Sequence, residues 1–278
     1  MNFLAKFLSF LPRRFALRIG ISLGTLAYYL FKRRRLLALS NFNQALGKNY
    51  SLEQQKKIIK KVFINLSLNF IEFFRFQEIT AENLSQFVTF HGKEHLQKAY
   101  NENKGVLVLT AHMGNWELLA AAVSLAGFKS GMIVKAAHQK FFDNFLTQQR
   151  QAKDLHLLSG KNSIKEILGA LKSGRVVGVV IDQHGIGRDS TVVPFFGRPA
   201  STLKGLAVLS ERTQAPVVPI YIYRDENFHH HIVIDPPVQH QSSDPDSRTL
   251  QYTQWLESVI RQHPDQWMWT HNRWKSSH

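Results

Sequence analysis

The sequence contains no cysteine among its 278 residues. Disulfide bonds and cysteine-ligated metal centres are therefore excluded, and the composition fits a reducing compartment. Long hydrophobic runs are lacking as well, because the uncharged N-terminal stretch at residues 19–31 has only 13 residues. Taken alone, a helix of that length is too short to cross roughly 30 Å of hydrocarbon, which takes about 20 residues.

Acidic residues are scarce in the N-terminal part of the chain. Residues 1–76 contain 14 lysines and arginines against two acids, Glu53 and Glu72, whereas residues 77–278 contain 21 bases and 18 acids. The net charge of +15 is thus concentrated beside apolar stretches, which favours an anionic membrane surface. We predict no nucleic-acid partner, because the larger C-terminal part is nearly balanced in charge.

The first 35 residues are predicted to form an N-terminal membrane anchor. Four bases at residues 32–35 directly follow the uncharged stretch, which predicts that the following domain lies on the cytoplasmic side of the membrane. Extending the stretch back to Phe15 includes Arg18, whose long side chain could snorkel. A tilted span and a helix lying in the membrane interface therefore both remain open. A cleaved signal peptide is disfavoured, because bases and not small residues follow the apolar run.

Residues 36–278 are predicted to form one domain, helical at 36–86 and α/β at 87–278. Ser51 and Gln54 predict a capping box at the start of an amphipathic, basic helix. Beyond residue 87, strands alternate with helices, which predicts an α/β fold with a largely parallel sheet flanked by helices. The predicted strands are 105–110, 131–134, 155–158, 176–181, 217–223 and 230–234, the last at a sheet edge, and the predicted helices are 116–125, 140–151, 163–171, 202–212 and 246–262.

The main candidate for chemistry is the segment AHMGNWE at residues 111–117. It directly follows a predicted buried strand, and ligands of open α/β sheets bind at the carboxyl ends of strands. If His112 lies on the loop and Glu117 in the first helical turns, the carboxylate could accept a proton from one imidazole nitrogen and leave the other as a base. Gly114 and Asn115 would supply the loop and the helix cap. The spacing by itself is a weak motif, and an ordinary loop histidine is its default interpretation.

Histidines elsewhere do not predict a metal centre. The spacing between His112 and Glu117 differs from that of zinc-binding H-E-x-x-H helices. Of the three consecutive histidines at residues 229–231, only His229 and His231 would share one face of a strand. We therefore predict no metal site.

Four segments of the sequence strengthen the interpretation of His112 as a functional residue. They are AHMGNWELLA at 111–120, DQHGIGRDSTVVPFFGRPAST at 182–202, AVLSERTQAPVVPIY at 207–221 and PDQWMWTHNRWK at 264–275. In this order, they resemble the bacterial lipid A late acyltransferases, within the lysophospholipid acyltransferase superfamily. The resemblance extends over most of the chain.

The resemblance implies acyl transfer from acyl-acyl carrier protein to a hydroxyl of a lipid A precursor, without a cofactor. It implies that His112 and Glu117 are the catalytic pair, and we expect a backbone N–H near Gly114 to stabilise the oxyanion. Several alternatives stay open: acyl-coenzyme A as the donor, another glycolipid or a lyso-phospholipid as the acceptor, and a membrane scaffold without catalysis.

Substrate phosphates are expected to contact polar and basic residues near the motifs. The family usually has an arginine where this chain has Lys135, and lysine binds phosphate as a point charge without the bidentate fork. Each base has an alternative interpretation as a solvated surface residue, and Asp182 is expected to be structural. The predicted substrate-binding residues are Asn115, Lys135, Arg188, Arg198 and Lys204.

Aromatic residues of these segments have two interpretations. Phe195 and Phe196 could line an acyl tunnel, although core packing is the simpler explanation. Trp267, Trp269 and Trp274 could lie at the level of lipid headgroups or pack against the sheet.

Overall fold

A computed structural model describes residues 8–134, 140–159 and 163–275. A seven-stranded sheet has the order β1-β9-β8-β2-β5-β3-β4, and a separate hairpin joins β6 to β7. The strands are β1 (Val88–His91), β2 (Val106–Thr110), β3 (Ser130–Val134), β4 (His156–Ser159), β5 (Val176–Val180), β6 (Ser190–Phe195), β7 (Arg198–Leu203), β8 (Val217–Arg224) and β9 (His230–Ile234).

Within the described residues, three helices of 15 to 23 residues precede the sheet, and six more lie between or after its strands. The three are α1 (Arg13–Leu30), α2 (Lys32–Leu46) and α3 (Leu52–Phe74). The others are α4 (Lys93–Asn101), α5 (Trp116–Leu125), α6 (Lys140–Gln151), α7 (Ser163–Lys172), α8 (Gly205–Thr213) and α9 (Pro245–Gln262).

The predicted α/β architecture is confirmed, because neighbouring strands of the seven-stranded sheet run parallel except for the antiparallel pair β8 and β9. Strand β2 lies between β8 and β5, and all five of its residues are buried. This explains its uninterrupted apolar sequence, which is typical of parallel strands covered on both faces. The prediction that residues 230–234 form an edge strand is wrong, since β9 lies between β1 and β8. Strand β1, with the sequence VTFH, had not been predicted, because polar residues interrupt its apolar ones.

The helix predicted from residue 202 begins three residues later. Residues 198–203 form β7, which pairs in antiparallel fashion with β6. Phe196 and Gly197 connect the two strands, with φ angles of 53° and 72°. Positive φ at both central residues is the geometry of tight hairpin turns. The hairpin therefore takes residues that local sequence alone assigned to a helix.

The N-terminal helices pack closely against each other. The predicted capping box is present, because Gln54 N–H donates to the Ser51 hydroxyl and Ser51 N–H donates to the Gln54 side chain. On α1, Gly20 and Gly24 face α3 so closely that a Cβ on Gly24 would collide with the Ile64 backbone. Small residues thus allow the two helix backbones to approach.

Within the described residues, no helix combines the length and the apolar character that a membrane crossing requires. The predicted membrane anchor at residues 1–35 and the division into an anchor and a domain at 36–278 stay predictions.

Candidate active site

The sheet brings together two residues that are far apart in the sequence. Strands β2 and β5 are parallel neighbours, and Thr110 pairs with Val180 at their carboxyl ends. His112 and Asp182 each lie two residues beyond these paired positions. Since parallel strands end at the same edge of a sheet, the two side chains meet there, in the place where α/β proteins bind ligands.

A buried carboxylate orients the His112 imidazole. The Nδ1 atom of His112 lies 2.9 Å from Oδ1 of Asp182, whose other oxygen accepts hydrogen bonds from the His112 backbone N–H and from Trp267 Nε1. A carboxylate can only accept, so Nδ1 carries the proton. Gln183 Nε2 lies farther from the same nitrogen, at 3.4 Å, and the shorter contact to a charged group decides the tautomer. The Nε2 atom of His112 keeps its lone pair and can act as a base.

Electrostatics strengthen this base. Burial by itself lowers the pKa of His112, but the charge and hydrogen bond of Asp182, followed by the charge of Glu117, raise the pKa above its ordinary value. Burial raises the pKa of Asp182, but His112 and the Trp267 hydrogen bond outweigh burial and hold this pKa below its ordinary value. Asp182 therefore makes the neutral imidazole a stronger base and stabilises the imidazolium that forms when it takes a proton from a substrate.

Glu117 does not make the hydrogen bond to His112 that was predicted for it. Its two carboxylate oxygens accept hydrogen bonds from Arg150 on α6, from Nε at 3.0 Å and from Nη2 at 2.6 Å. The reason is geometric: Glu117 is the second residue of α5 and points towards the neighbouring helix, whereas His112 turns towards the end of β5. Asp182 thus has the orienting position that was predicted for Glu117. Glu117 contributes negative charge near the imidazole, and its catalytic role stays a prediction.

The loop between His112 and α5 is held by internal hydrogen bonds. The Asn115 side chain caps α5 by accepting from Leu118 N–H, and its amide nitrogen donates to Glu72. Both ends of this predicted substrate-binding amide are therefore occupied within the protein. Gly114 N–H donates to the Gln266 carbonyl at 2.9 Å. The Gly114 N–H is therefore occupied within the protein, and the expectation that a backbone N–H near Gly114 stabilises an oxyanion stays a prediction.

The predicted phosphate-binding bases do not contact His112 in the part of the chain that the structure describes. Arg188 is exposed in the loop after β5. Arg198 lies at the start of β7 with its guanidinium 5.3 Å from the centre of the Trp274 ring, and Lys204 Nζ lies 3.8 Å from Asp246. Lys135 lies outside the described residues. Their substrate-binding roles stay predictions.

The aromatic residues of the motif segments pack against one another. Phe195, Phe196, Trp267 and Trp269 are buried, and the ring centroids of Trp267 and Trp269 are 4.6 Å apart. Core packing is therefore confirmed for these four, and Trp267 and Trp269 are not available to lipid headgroups. The indole N–H of Trp267 donates to Asp182, so the C-terminal segment forms one wall of the site.

An open groove lies beside the histidine loop, with a cavity volume of about 490 Å³. Its wall includes Met268, whose backbone N–H donates to the His112 carbonyl at 3.2 Å. Burial lowers the pKa of His271, another wall residue. The charge of Asp182 has a smaller raising effect on this pKa, and the charge of His112 has a smaller lowering effect. Apolar wall residues are Ala27, Phe31, Phe63, Leu66 and Met268, and polar ones are Arg34, Ser67, Thr270 and His271.

Sequence reasoning missed the roles of Asp182, Arg150 and Trp267. A signal for Asp182 was present, because it follows a buried strand at the same offset at which His112 follows its own strand. Arg150 and Trp267 gave no comparable signal, since their contacts depend on how α6 and the C-terminal segment pack.

A histidine base oriented by a buried carboxylate at the edge of a parallel sheet is suited to activating a substrate hydroxyl directly. A comparison with known proteins identifies the family of this chain. The chain belongs to the bacterial lipid A biosynthesis acyltransferase family, whose model matches residues 1–276. It is therefore an acyltransferase.

Relatives are about one-quarter identical to this chain over the aligned residues. It is 24% identical over 260 residues to the lipid A biosynthesis palmitoleoyltransferase of Escherichia coli (strain K12), covering 93% of this chain and 84% of the relative. It is 24% identical to the lipid A biosynthesis lauroyltransferase of the same organism, covering 96% and 87%. A lipid A biosynthesis acyltransferase of Haemophilus influenzae is 23% identical, covering 96% and 84%.

Proposed function

We propose that this protein transfers a fatty acyl group from acyl-acyl carrier protein to a hydroxyl of a lipid A precursor. The observation that carries the mechanism is the contact between His112 Nδ1 and Asp182, which leaves Nε2 free to accept a proton. Family membership supports the chemical class of the reaction. No cofactor is required in this scheme, because the thioester donor supplies the activated acyl group.

The proposed reaction runs through direct attack. His112 Nε2 accepts the proton of the acceptor hydroxyl, and the resulting alkoxide oxygen forms a bond to the thioester carbonyl carbon. The tetrahedral intermediate collapses, the carbon–sulfur bond breaks, and His112 returns the proton to the departing thiolate. Asp182 holds the tautomer and stabilises the imidazolium in between, as the carboxylate does in other histidine–carboxylate pairs.

Membrane association is the second part of the proposal. Exposed apolar side chains follow one face of α1 at helical spacing, and exposed bases lie beside them at Arg14, Arg18, Lys32 and Arg33. Such a helix lies well in the interface of an anionic membrane. We place it on the cytoplasmic face of the inner membrane. The apolar residues of the stripe are Phe15, Ile19, Leu23, Leu26 and Leu30.

The groove beside the histidine loop is the proposed site for an acyl chain. Ala27 and Phe31, at and just beyond the end of α1, contribute to its wall, so a chain could pass between the apolar stripe and the catalytic edge of the sheet. A volume of about 490 Å³ falls within the range of about 300–1,000 Å³ that is typical of small-molecule sites.

The test is acyl transfer by the purified full-length protein in detergent, followed by mass spectrometry. The donors are acyl-acyl carrier protein and acyl-coenzyme A, and the acceptors are a tetra-acylated lipid A precursor and a panel of lyso-phospholipids and glycolipids. We expect an added acyl mass on the lipid A precursor that is lost in His112→Ala. Transfer to another acceptor alone would overturn the lipid A assignment. Undiminished transfer in His112→Ala would overturn the mechanism, and a parent protein inactive on every acceptor would favour the scaffold alternative.

A further inference from the structure

A buried polar cluster connects α3 to the loop that carries His112. Glu72, on the last turns of α3, lies with one carboxylate oxygen 2.6 Å from Arg224 Nη2 and 2.7 Å from Asn115 Nδ2. Its other oxygen is 3.2 Å from His230 Nε2. The side chains of Arg224 and His230 are almost fully buried, so this carboxylate has little contact with water.

Electrostatics show that the carboxylate is charged in the folded protein. Burial would raise the pKa of Glu72, but the charges and hydrogen bonds of Arg224 and His230 outweigh it and hold the pKa far below its ordinary value. A buried ion pair of this kind is costly to break, because the remaining partner stays uncompensated. Glu72 therefore fixes Asn115, and with it the cap of α5, in a single arrangement.

A second contact from α3 reaches the same loop. Asn69 Nδ2 donates to the Gly114 carbonyl at 2.5 Å, while its side-chain oxygen accepts from Arg224 Nη2 at 2.9 Å. Gly114 has a φ angle of 53°, and a Cβ there would collide with the Ile222 carbonyl. The loop is thus confined on both sides, by β8 and by α3.

We propose that Asn69 and Glu72 on α3 are positioning residues that set the conformation of the loop 112–115 and thereby the placement of the catalytic base. This inference rests on the proposed function, since it assigns these residues to the same reaction. They act through Gly114 and Asn115, without touching the substrate. Misplacing a reacting group by about 1 Å can reduce a rate by roughly 100-fold.

The chain offers a closely matched control on the same helix. Asn65 lies one turn before Asn69, accepts from Arg224 Nη1 at 2.9 Å and donates to the Asp265 carbonyl at 3.0 Å. Each asparagine therefore makes one hydrogen bond to Arg224 and one to a backbone carbonyl. Only Asn69 makes the second bond to the histidine loop.

The experiment compares Asn69→Asp with Asn65→Asp in the full-length protein. Both substitutions keep an acceptor for Arg224, add the same charge and replace the donated hydrogen bond by repulsion from a carbonyl oxygen. We expect kcat to fall by roughly 10- to 100-fold in Asn69→Asp with KM nearly unchanged. In Asn65→Asp we expect kcat to stay within about threefold of the parent, with a similar change in thermal stability in both variants.

An independent readout separates this inference from the proposed reaction. The titration of the His112 ring can be followed by NMR in the same variants, with the signal assigned by its loss in His112→Ala. We expect the titration midpoint to move in Asn69→Asp and to stay in place in Asn65→Asp. Equal kinetics and equal titrations in the two variants would overturn the positioning role. A shifted midpoint in Asn69→Asp, in a protein that transfers no acyl group, would support positioning while the proposed function fails.

Discussion

Replacing Asp182 by asparagine tests the arrangement of the base. In the parent, one carboxylate oxygen accepts the His112 Nδ1–H, and the other accepts the His112 backbone N–H at 3.1 Å and Trp267 Nε1–H at 2.9 Å. An asparagine has a single acceptor oxygen and cannot satisfy donors on both sides. If its amide nitrogen faces Nδ1, the imidazole proton moves to Nε2. That nitrogen then has no lone pair with which to accept the proton of the substrate.

The expected loss follows from this change of tautomer. In serine protease triads the same substitution lowers kcat by about 10⁴-fold with the geometry intact. We expect a loss of roughly 10³- to 10⁴-fold in Asp182→Asn, measured as the initial rate of acyl transfer to the lipid A precursor by mass spectrometry. A buried donor left without an acceptor costs about 1–3 kcal/mol in unfolding free energy, so a fall in melting temperature should accompany the kinetic effect.

The pH profile supplies a second readout with a defined sign. Asp182 raises the pKa of His112 against the lowering effect of burial, and the reaction needs the neutral imidazole. In the parent, kcat/KM should therefore rise as the pH increases through this raised pKa. Without the carboxylate charge, the acidic limb of the residual activity should move to lower pH.

Glu117→Gln is the matched comparison for this test. It removes the charge that pairs with Arg150, but it leaves the contact between Asp182 and His112 in place. We expect a smaller displacement of the acidic limb than in Asp182→Asn. The reasoning is refuted if Asp182→Asn keeps nearly the parental kcat and pH profile while Glu117→Gln loses both.

Three further predictions concern the helices and the groove. Gly24→Ala should destabilise the protein by about 1–3 kcal/mol, because the added Cβ meets the α3 backbone. Gly169→Ala, in open space on α7, should stabilise it by about 0.5–1 kcal/mol. If both substitutions shift the thermal unfolding temperature in the same direction, the packing of α1 against α3 is contradicted. Leu26→Glu should weaken co-sedimentation with anionic vesicles, while Val208→Glu, at a similarly exposed position on α8, should not; equal binding would argue against the α1 stripe as the membrane-facing surface. Ala27→Trp should narrow the groove and shift donor preference towards shorter acyl chains, and an unchanged preference across donor lengths would remove the groove as the acyl site.

Much of the α/β core could be predicted because its signals are local. The uninterrupted apolar residues of β2 and β5 identify buried strands, and α5 and α6 were predicted with the bounds that the structure gives. Strand β1 was missed because its sequence VTFH has no consecutive apolar residues, whereas the equally short β4 contains Leu157 and Leu158. The hairpin at Phe196 and Gly197 was missed because its positive φ angles and cross-strand pairs depend on the rest of the fold.

The sequence by itself determined the fold class, the family resemblance and the presence of a histidine at the end of a buried strand. Those properties follow from the periodicity of neighbouring residues and from motifs read in order along the chain. Only the tertiary structure decided which carboxylate orients His112. Asp182 is 70 residues away and reaches it because β2 and β5 are adjacent and end together, whereas Glu117, five residues away, is drawn by the packing of α6 into an ion pair with Arg150. A hydrogen bond depends on distance and direction in space, and separation along the chain specifies neither.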